Sequence, residues 1–306
     1  MKPISGAQYT LVSGDYVAVI ASVGATLRSL TYQGRNLVMP FEADEIRPGM
    51  RGALLAPWPN RTADGAYVFQ GGAHQLAVNE IETNNASHGL VCWLDFEAVT
   101  LTPERVELRA WVQAQPGYPW RLEVTVTFEL DERGLQQEVS ILNASAQAAP
   151  VGIGGHPYLV AGEAVEGALN DWELTLPASR ALVVNERRLP VDEISIAGDA
   201  ELDFRSPRRV GATVLDRAFT DLTFDADGLA RVRLIGPDGR GVELTWDERC
   251  PWTQVYSADA PGVEQPRHSI AVEPMTCPPN AFVTGRDLLA VEPGEAVSAG
   301  WRIAGV

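Results

Sequence analysis

The chain has 306 residues, 40 acidic side chains against 24 Lys and Arg, and a formal net charge of −16 at pH 7. That charge repels nucleic acid and anionic membrane surfaces and disfavours a polyanionic substrate unless Arg side chains are gathered locally. Lys2 is the only lysine, so Schiff-base and pyridoxal phosphate chemistry, which need a buried and positioned lysine, are set aside.

From Met1 to Gly6 no apolar stretch is long enough for a signal peptide. No segment reaches the roughly 18 uncharged apolar residues of a membrane helix, so a cytoplasmic protein is expected. The first hairpin is predicted from Ala66–Phe69 and His74–Val78 around Gly71-Gly72. Val106, Leu108 and Ala110 then alternate with Glu107 and Arg109. From Arg121 to Leu130 one face carries Leu122, Val124, Val126, Phe128 and Leu130, and the other carries Arg121, Glu123, Thr125, Thr127 and Glu129. This period of two predicts a strand with one buried face. Asp131–Gly134 turns the chain, and Leu135–Leu142 returns as the partner. Val232 and Leu234 are answered across Pro237-Asp238-Gly239 by Val242, Leu244 and Trp246. Helical periodicity is nowhere sustained, and 28 Gly with 21 Pro suit many short turns. The expectation is an all-β fold of antiparallel sheets, one sandwich domain over residues 1–306. Cys92, Cys250 and Cys277 form neither a disulfide framework nor a metal-ligand spacing. No metal and no cofactor are expected.

Four histidines exist, and two have contexts that suit chemistry. His156 lies in Gly154-Gly155-His156-Pro157-Tyr158, where the proline must end or bulge a strand. His88 lies in the polar loop Thr83–Gly89. Either residue could equally be a satisfied turn or loop histidine. His74 and His268 read as surface or strand-end residues. Glu273 follows the apolar run Ile270-Ala271-Val272 and precedes Pro274, which predicts a partly desolvated acid at a strand exit. Arg61, after Asn60, is a fork donor suited to oxygen ligands or to a surface ion pair. Asp216 suits a turn or a hydroxyl-binding role.

None of these signals is specific alone, but their order is. Asn60-Arg61, His88-Gly89, Gly155-His156-Pro157-Tyr158, Asp216, Gln254-Val255-Tyr256 and the Glu273–Asn280 stretch together resemble the aldose 1-epimerase (galactose mutarotase) family from about Thr26 onward. The resemblance implies a galactose mutarotase-like β-supersandwich, with Glu273 as general base, His156 as general acid and His88 as the second active-site histidine. It also implies Arg61, Asp216, Asn60, Tyr158 and Gln254 as sugar-binding residues, and a monomer or homodimer acting on a free aldose. Glu273-Pro274-Met275 and Asp216-Arg217 depart from the usual family pattern and resemble a divergent bacterial subgroup found in sugar-catabolic operons, sulfosugar pathways among them.

The implied chemistry opens a cyclic hemiacetal: one group takes the anomeric hydroxyl proton while another protonates the ring oxygen. It calls for an ionised Glu273 and a protonated His156 on opposite sides of a sugar-sized pocket. In that picture the acidic limb of the pH–rate profile belongs to Glu273 and the basic limb to His156. Two alternatives remain: a non-catalytic carbohydrate-binding sandwich, and a hexose-phosphate epimerase using Arg187-Arg188 or Arg208-Arg209 for phosphate.

Overall fold

A computed structural model describes residues 2–260 and 262–306; Met1 and Pro261 lie outside the described residues. All-β antiparallel architecture is what it shows. Every pair of named strands runs antiparallel, and helix among the described residues is limited to the single turns Pro48–Met50, Ala168–Asp171 and Ala281–Thr284. Among the described residues no helix is long and apolar enough to cross a membrane. All three cysteines are buried and free.

Two large sheets dominate. The nine-stranded sheet runs from Glu97–Leu101 through the hairpin strands to Ala296–Gly305, Gly241–Trp246 and beyond. Its central hairpin, Leu122–Asp131 with Gly134–Asn143, pairs Leu130 with Leu135 and Asp131 with Gly134. Leu122, Val124, Val126, Phe128 and Leu130 are all buried, as the alternation demands. The predicted strand at Gly71-Gly72 is shorter than expected: Ala66–Phe69 pairs with Gly72–Gln75, so the turn falls on Gln70-Gly71.

The second sheet has eight strands and carries the site. Its order is Pro190–Ser195, Ala178–Val184, Asp216–Leu222, Trp252–Tyr256, Ile270–Met275, Gly154–His156 and Ala53–Leu55, with Tyr158–Leu159 also pairing Ile270–Met275. Pro274 does not end its strand, contrary to the sequence expectation. Val272, two residues earlier and on the same edge, donates its backbone N–H to the Pro157 carbonyl at 3.2 Å. The donor that Pro274 lacks therefore falls on the side of the interrupted Gly154–Leu159 segment, where the ladder is already broken at Pro157. Glu273 thus lies inside the sheet rather than at its exit.

Gly155 fixes the distance between the sheets here. A Cβ at this position would sit 2.2 Å from the Trp301 ring, which belongs to the nine-stranded sheet. Gly155→Ala should force the indole or the strand to move, and overpacking of this kind costs about 1–3 kcal/mol. Urea unfolding should show a lower midpoint with an unchanged slope; an unaltered midpoint would mean that the sheets are not held apart by this contact.

Candidate active site

Cross-strand register aligns the chemistry on one face of the eight-stranded sheet. Gln254 is paired with Glu273, Ala218 with Gln254, and Asp216 with Tyr256. On the other side Gly154 is paired with Met275 and Tyr158 with Ala271, so His156 sits beside Glu273. Because side chains alternate along a strand, residues two apart share this face. Asp216, Gln254, Tyr256, Glu273, His156 and Tyr158 therefore form one patch.

A second group reaches the patch from loops. Arg61 opens the strand Arg61–Ala63, paired with Asn85–Ser87. The His88 N–H donates to the Asn60 carbonyl at 2.9 Å, tying the two loop segments together. Gly89 has φ +76°, and a Cβ there would lie 2.1 Å from the Ala56 carbonyl oxygen, so only glycine lets this loop close over the Ala56 backbone. The Asn280 N–H donates to the Arg61 carbonyl at 2.7 Å, and its Oδ1 accepts from the Ala63 N–H at 3.0 Å. The stretch after Glu273 therefore returns to brace the strand that carries Arg61.

All eight residues singled out in the sequence line one cavity of about 190 Å³: Asn60, Arg61, His88, His156, Tyr158, Asp216, Gln254 and Glu273. Gly49, Met50, Arg188 and Tyr256 line it as well. Tyr256 follows Gln254 by two positions, and the strand period could have assigned it. Arg188 and the Gly49-Met50 turn carry no comparable sequence signal, since loops bring them in.

The centre of the site is a contact. His156 Nε2 lies 3.2 Å from Glu273 Oε1, and both side chains are buried, at 7% and 2% exposure. The two groups touch rather than face each other across the cavity as expected from sequence. Burial pushes the Glu273 carboxyl well above the usual carboxylate range; the charge of Asp216 adds to this and that of Arg61 opposes it. Burial pushes His156 well below the usual imidazole value, and His88, Arg47 and Arg61 push it the same way. His88, whose ring meets that of His156 edge-on at 5.5 Å, is pushed down to about 3 by burial and by the charges of Arg61 and Arg47. Each histidine is thereby held neutral at pH 7. Burial thus opposes the separately charged pair inferred from sequence and favours a net-neutral pair sharing one proton.

Around this pair the polar groups are held firmly. Arg61 donates to Glu80 through Nε at 2.8 Å and Nη2 at 3.0 Å, and to Asn60 Oδ1 through Nη1 at 3.2 Å. Gln254 Nε2 donates to Asp216 Oδ1 at 2.8 Å, and Arg188 lies 3.5 Å from the other Asp216 oxygen. The Tyr158 hydroxyl donates to the Gly49 carbonyl at 2.9 Å, and its ring stacks on His156 at 5.1 Å. Four of the lining residues keep a buried polar atom without a partner among the described residues: Glu273 Oε2, His156 Nδ1, His88 Nδ1 and Gln254 Oε1. His74 lies away from the site, half-buried between Tyr67 and Trp120. Of the arginine pairs only Arg188 reaches the cavity. Arg187 is tied to Asp64 and to the Thr83 carbonyl, Arg208 covers the Phe204 ring, and Arg209 pairs with Asp171.

Both the chain and its fold have matches among known proteins. The family model described as aldose 1-epimerase matches residues 7–304. The chain belongs to the aldose 1-epimerase family. The match begins well before Thr26, so the resemblance read from motifs understated its extent. The uncharacterized protein YihR of Escherichia coli K12 is 37% identical over 293 residues, covering 95% of this chain and 91% of that protein. Human galactose mutarotase is 32% identical over 171 residues, covering 54% of this chain and 48% of the human protein, so that match spans about half of either sequence. Among solved structures, an aldose epimerase homologue from C. elegans superposes with a TM-score of 0.84 at 18% identity, covering 98% of each chain. Galactose 1-epimerase from Lactobacillus acidophilus superposes with a TM-score of 0.77 at 20% identity, covering 95% of this chain and 92% of that one. At these identities the structures establish the galactose mutarotase-like fold.

Glu80, missed in the sequence, is the partner that fixes Arg61. Burial alone would raise its pKa, but the hydrogen bonds and charge of Arg61 hold it below the usual carboxylate value. A depressed folded-state pKa contributes stability above the unfolded pKa, near 4.3, and loses it as pH falls through the folded value. The stability difference between wild type and Glu80→Gln should be constant from pH 5 to 7 and shrink below about pH 4. Thermal or urea unfolding across pH would measure it; a difference that grows on acidification would mean that the pair does not stabilise the fold.

Proposed function

We propose that the protein is a mutarotase that interconverts the α and β anomers of a free aldose by acid–base ring opening and reclosure. The observation carrying this reading is the buried Glu273–His156 pair, 3.2 Å apart on the wall of a cavity rich in hydroxyl-binding groups. The two oxygens that must exchange protons in a cyclic aldose, the anomeric hydroxyl and the ring oxygen, are attached to the same carbon. A base and an acid side by side suit that pair better than groups on opposite sides of the sugar.

In the working order, Glu273 takes the proton of the anomeric hydroxyl and His156 delivers one to the ring oxygen. The bond from the anomeric carbon to the ring oxygen breaks, and the open aldehyde forms. Rotation about the adjacent carbon–carbon bond presents the other carbonyl face. Reclosure returns both protons with roles reversed, so the pair ends as it began. The single shared proton can sit on either partner across the contact, so the imidazolium–carboxylate form is one proton shift from the neutral form. His88 holds the second histidine position beside His156. Arg61, Asn60, Asp216, Gln254 and Tyr158 bind the sugar hydroxyls. A polyhydroxyl ligand brings both donors and acceptors, which suits the four polar atoms that lack protein partners; leaving such a group unsatisfied costs about 1–3 kcal/mol.

A non-catalytic sugar-binding sandwich would have no need of a desolvated carboxylate against a desolvated imidazole, an arrangement that is costly in the absence of a task. A phosphate-binding epimerase would need free arginines. Of the arginines lining the cavity, Arg61 is committed to Glu80 and Arg188 lies against Asp216.

Anomer exchange followed by NMR or polarimetry over hexoses, pentoses and acidic sugars tests the reading. Glu273→Gln and His156→Asn should each lose about 10²-fold or more, mainly in kcat, because the proton transfers occur in the transition state. Arg61→Ala should raise KM at least as clearly. Near-normal exchange by Glu273→Gln would sink the assignment.

The pH profile carries a second prediction. The active state is the pair with one proton. Gaining a second proton requires the depressed His156, so the acidic limb should lie below about 6.5. Losing the only proton requires the raised Glu273, so the basic limb should lie well above about 4.3. Each variant keeps one titrating group, so one limb should vanish and the surviving limb should move from its wild-type position; a surviving limb left in place would contradict the coupling. A third prediction concerns metals. Among the described residues no group of three or more His, Cys, Asp or Glu side chains could hold a metal ion. Exchange should therefore survive exhaustive chelation; loss restored by one divalent ion would overturn it.

A further inference from the structure

Three hollows share walls in this protein. The cavity at Glu273 shares Gly49, Tyr158 and Tyr256 with a groove of about 920 Å³. The groove in turn shares Phe41, Glu45, Ile46 and Arg47 with a third hollow of about 340 Å³, which is bounded by Trp93 and Ile4. The inner cavity is smaller than the roughly 300–1,000 Å³ typical of small-molecule sites, whereas the groove reaches the top of that range. A substrate confined to one sugar ring would leave the groove and the outer hollow unused.

Their linings differ in a graded way. The groove mixes carboxylates, Glu42 and Glu264 among them, with Arg51, whose Nη2 donates to Gln265 Oε1 at 2.6 Å. Charges of both signs among amides and hydroxyls suit a neutral polyhydroxyl chain. The outer hollow is apolar, with Trp93, Ile46 and Ile4 exposed to 56%, 69% and 60%. A tryptophan this exposed is uncommon, and clustered exposed apolar residues mark binding surfaces. Trp93 is also held in place: the buried Arg47 lies 4.5 Å from its ring centre and donates to Thr26 Oγ1 and the Cys92 carbonyl. A positioned aromatic plane offers an apolar face to the C–H side of a sugar ring at little entropic cost.

From these shared walls we propose that the substrate is a reducing oligosaccharide: its reducing residue enters the cavity at Glu273, and its non-reducing residues lie beyond the Tyr158–Gly49 bridge, along the groove toward Trp93. This rests on the mutarotase reading and names its substrate class. The chemistry is compatible with it, because ring opening needs a free anomeric centre only at the reducing end.

The test measures anomer exchange for glucose and galactose, and for reducing di- and trisaccharides built from them with 1,4 and 1,6 linkages. At least one oligosaccharide should exceed its parent monosaccharide in kcat/KM by about tenfold or more, equivalent to roughly 1.4 kcal/mol. Trp93→Ala should remove most of that advantage and leave monosaccharide exchange within about twofold, with Trp93→Phe restoring much of it. Ile46→Asp carries the same test if Trp93→Ala is poorly folded. Two results overturn the proposal: no oligosaccharide better than its parent, or Trp93 and Ile46 variants that leave the oligosaccharide-to-monosaccharide ratio unchanged. If no sugar of any length exchanges faster than in buffer, the mutarotase reading fails. Tryptophan fluorescence titration with the trisaccharides then decides the groove alone: quenching lost in Trp93→Ala supports it, and no quenching removes it.

Discussion

Glu273 occupies a place where a carboxylate is costly. It sits in the interior of an eight-stranded sheet, 2% exposed, with Gln254 as cross-strand neighbour on one side and His156 on the other. Isolated there, the charge would be expelled by a shift toward the protonated acid. The contact with His156 lets the two groups hold one proton and no net charge between them. Much of the surrounding structure serves that contact. The strand break at Pro157 positions His156, and Gly155 lets the nine-stranded sheet approach from behind through Trp301. The Arg61–Glu80 pair supplies a fixed positive charge that counters the desolvation of Glu273 without adding an unpaired ion.

The fold was well marked in the sequence where one sheet face is buried and the other is wet. The Leu122–Asp131 hairpin follows its alternation residue by residue, because only that register buries Val124, Val126 and Phe128 together. The pattern fails for strands that are buried on both faces. Ile270–Met275 is buried at every position, so its period gives no clue to which face holds Glu273, and Pro274 then reads as a terminator. The edge strand Glu97–Leu101 fails for the opposite reason, since it is exposed throughout.

For the site, family resemblance and local context, rather than any periodicity, point to the eight residues. Their convergence depends on pairings between segments far apart in the chain, such as Asn280 with Arg61 and Gly154 with Met275. A linear reading cannot supply such pairings. What it also could not supply was electrostatics. Ordinary side-chain values imply an ionised Glu273 and a protonated His156, and burial pushes both groups the opposite way, the acid up and the imidazole down. Arg188 stands out only as half of an arginine pair, and Glu80 not at all, for a related reason: a charged residue in a polar loop looks the same whether it faces solvent or a cavity.

The loops that complete the site are held in uncommon backbone conformations. Gly49, Met50, Asn60, His88 and Arg188 all line the cavity, and all have φ between +51° and +65°. Left-handed backbone is disfavoured for residues with a Cβ, and such conformations gather where the surroundings over-determine them. Here the determining contacts can be named. The Gly49 carbonyl is taken by the Tyr158 hydroxyl, the Asn60 carbonyl by the His88 N–H, and the Arg188 N–H by the Asn185 carbonyl at 2.8 Å. The sheet fixes one wall, and these bonds fix the others independently of any ligand. Orientation is therefore built in before any ligand arrives, which is where, on the proposed reading, much of the advantage of a positioned acid–base pair over free solution would arise. The same rigidity explains why a small cavity can adjoin a much wider groove. The proposed ring opening needs closely fixed atoms only around one carbon, which leaves everything beyond the Tyr158–Gly49 bridge free to be open.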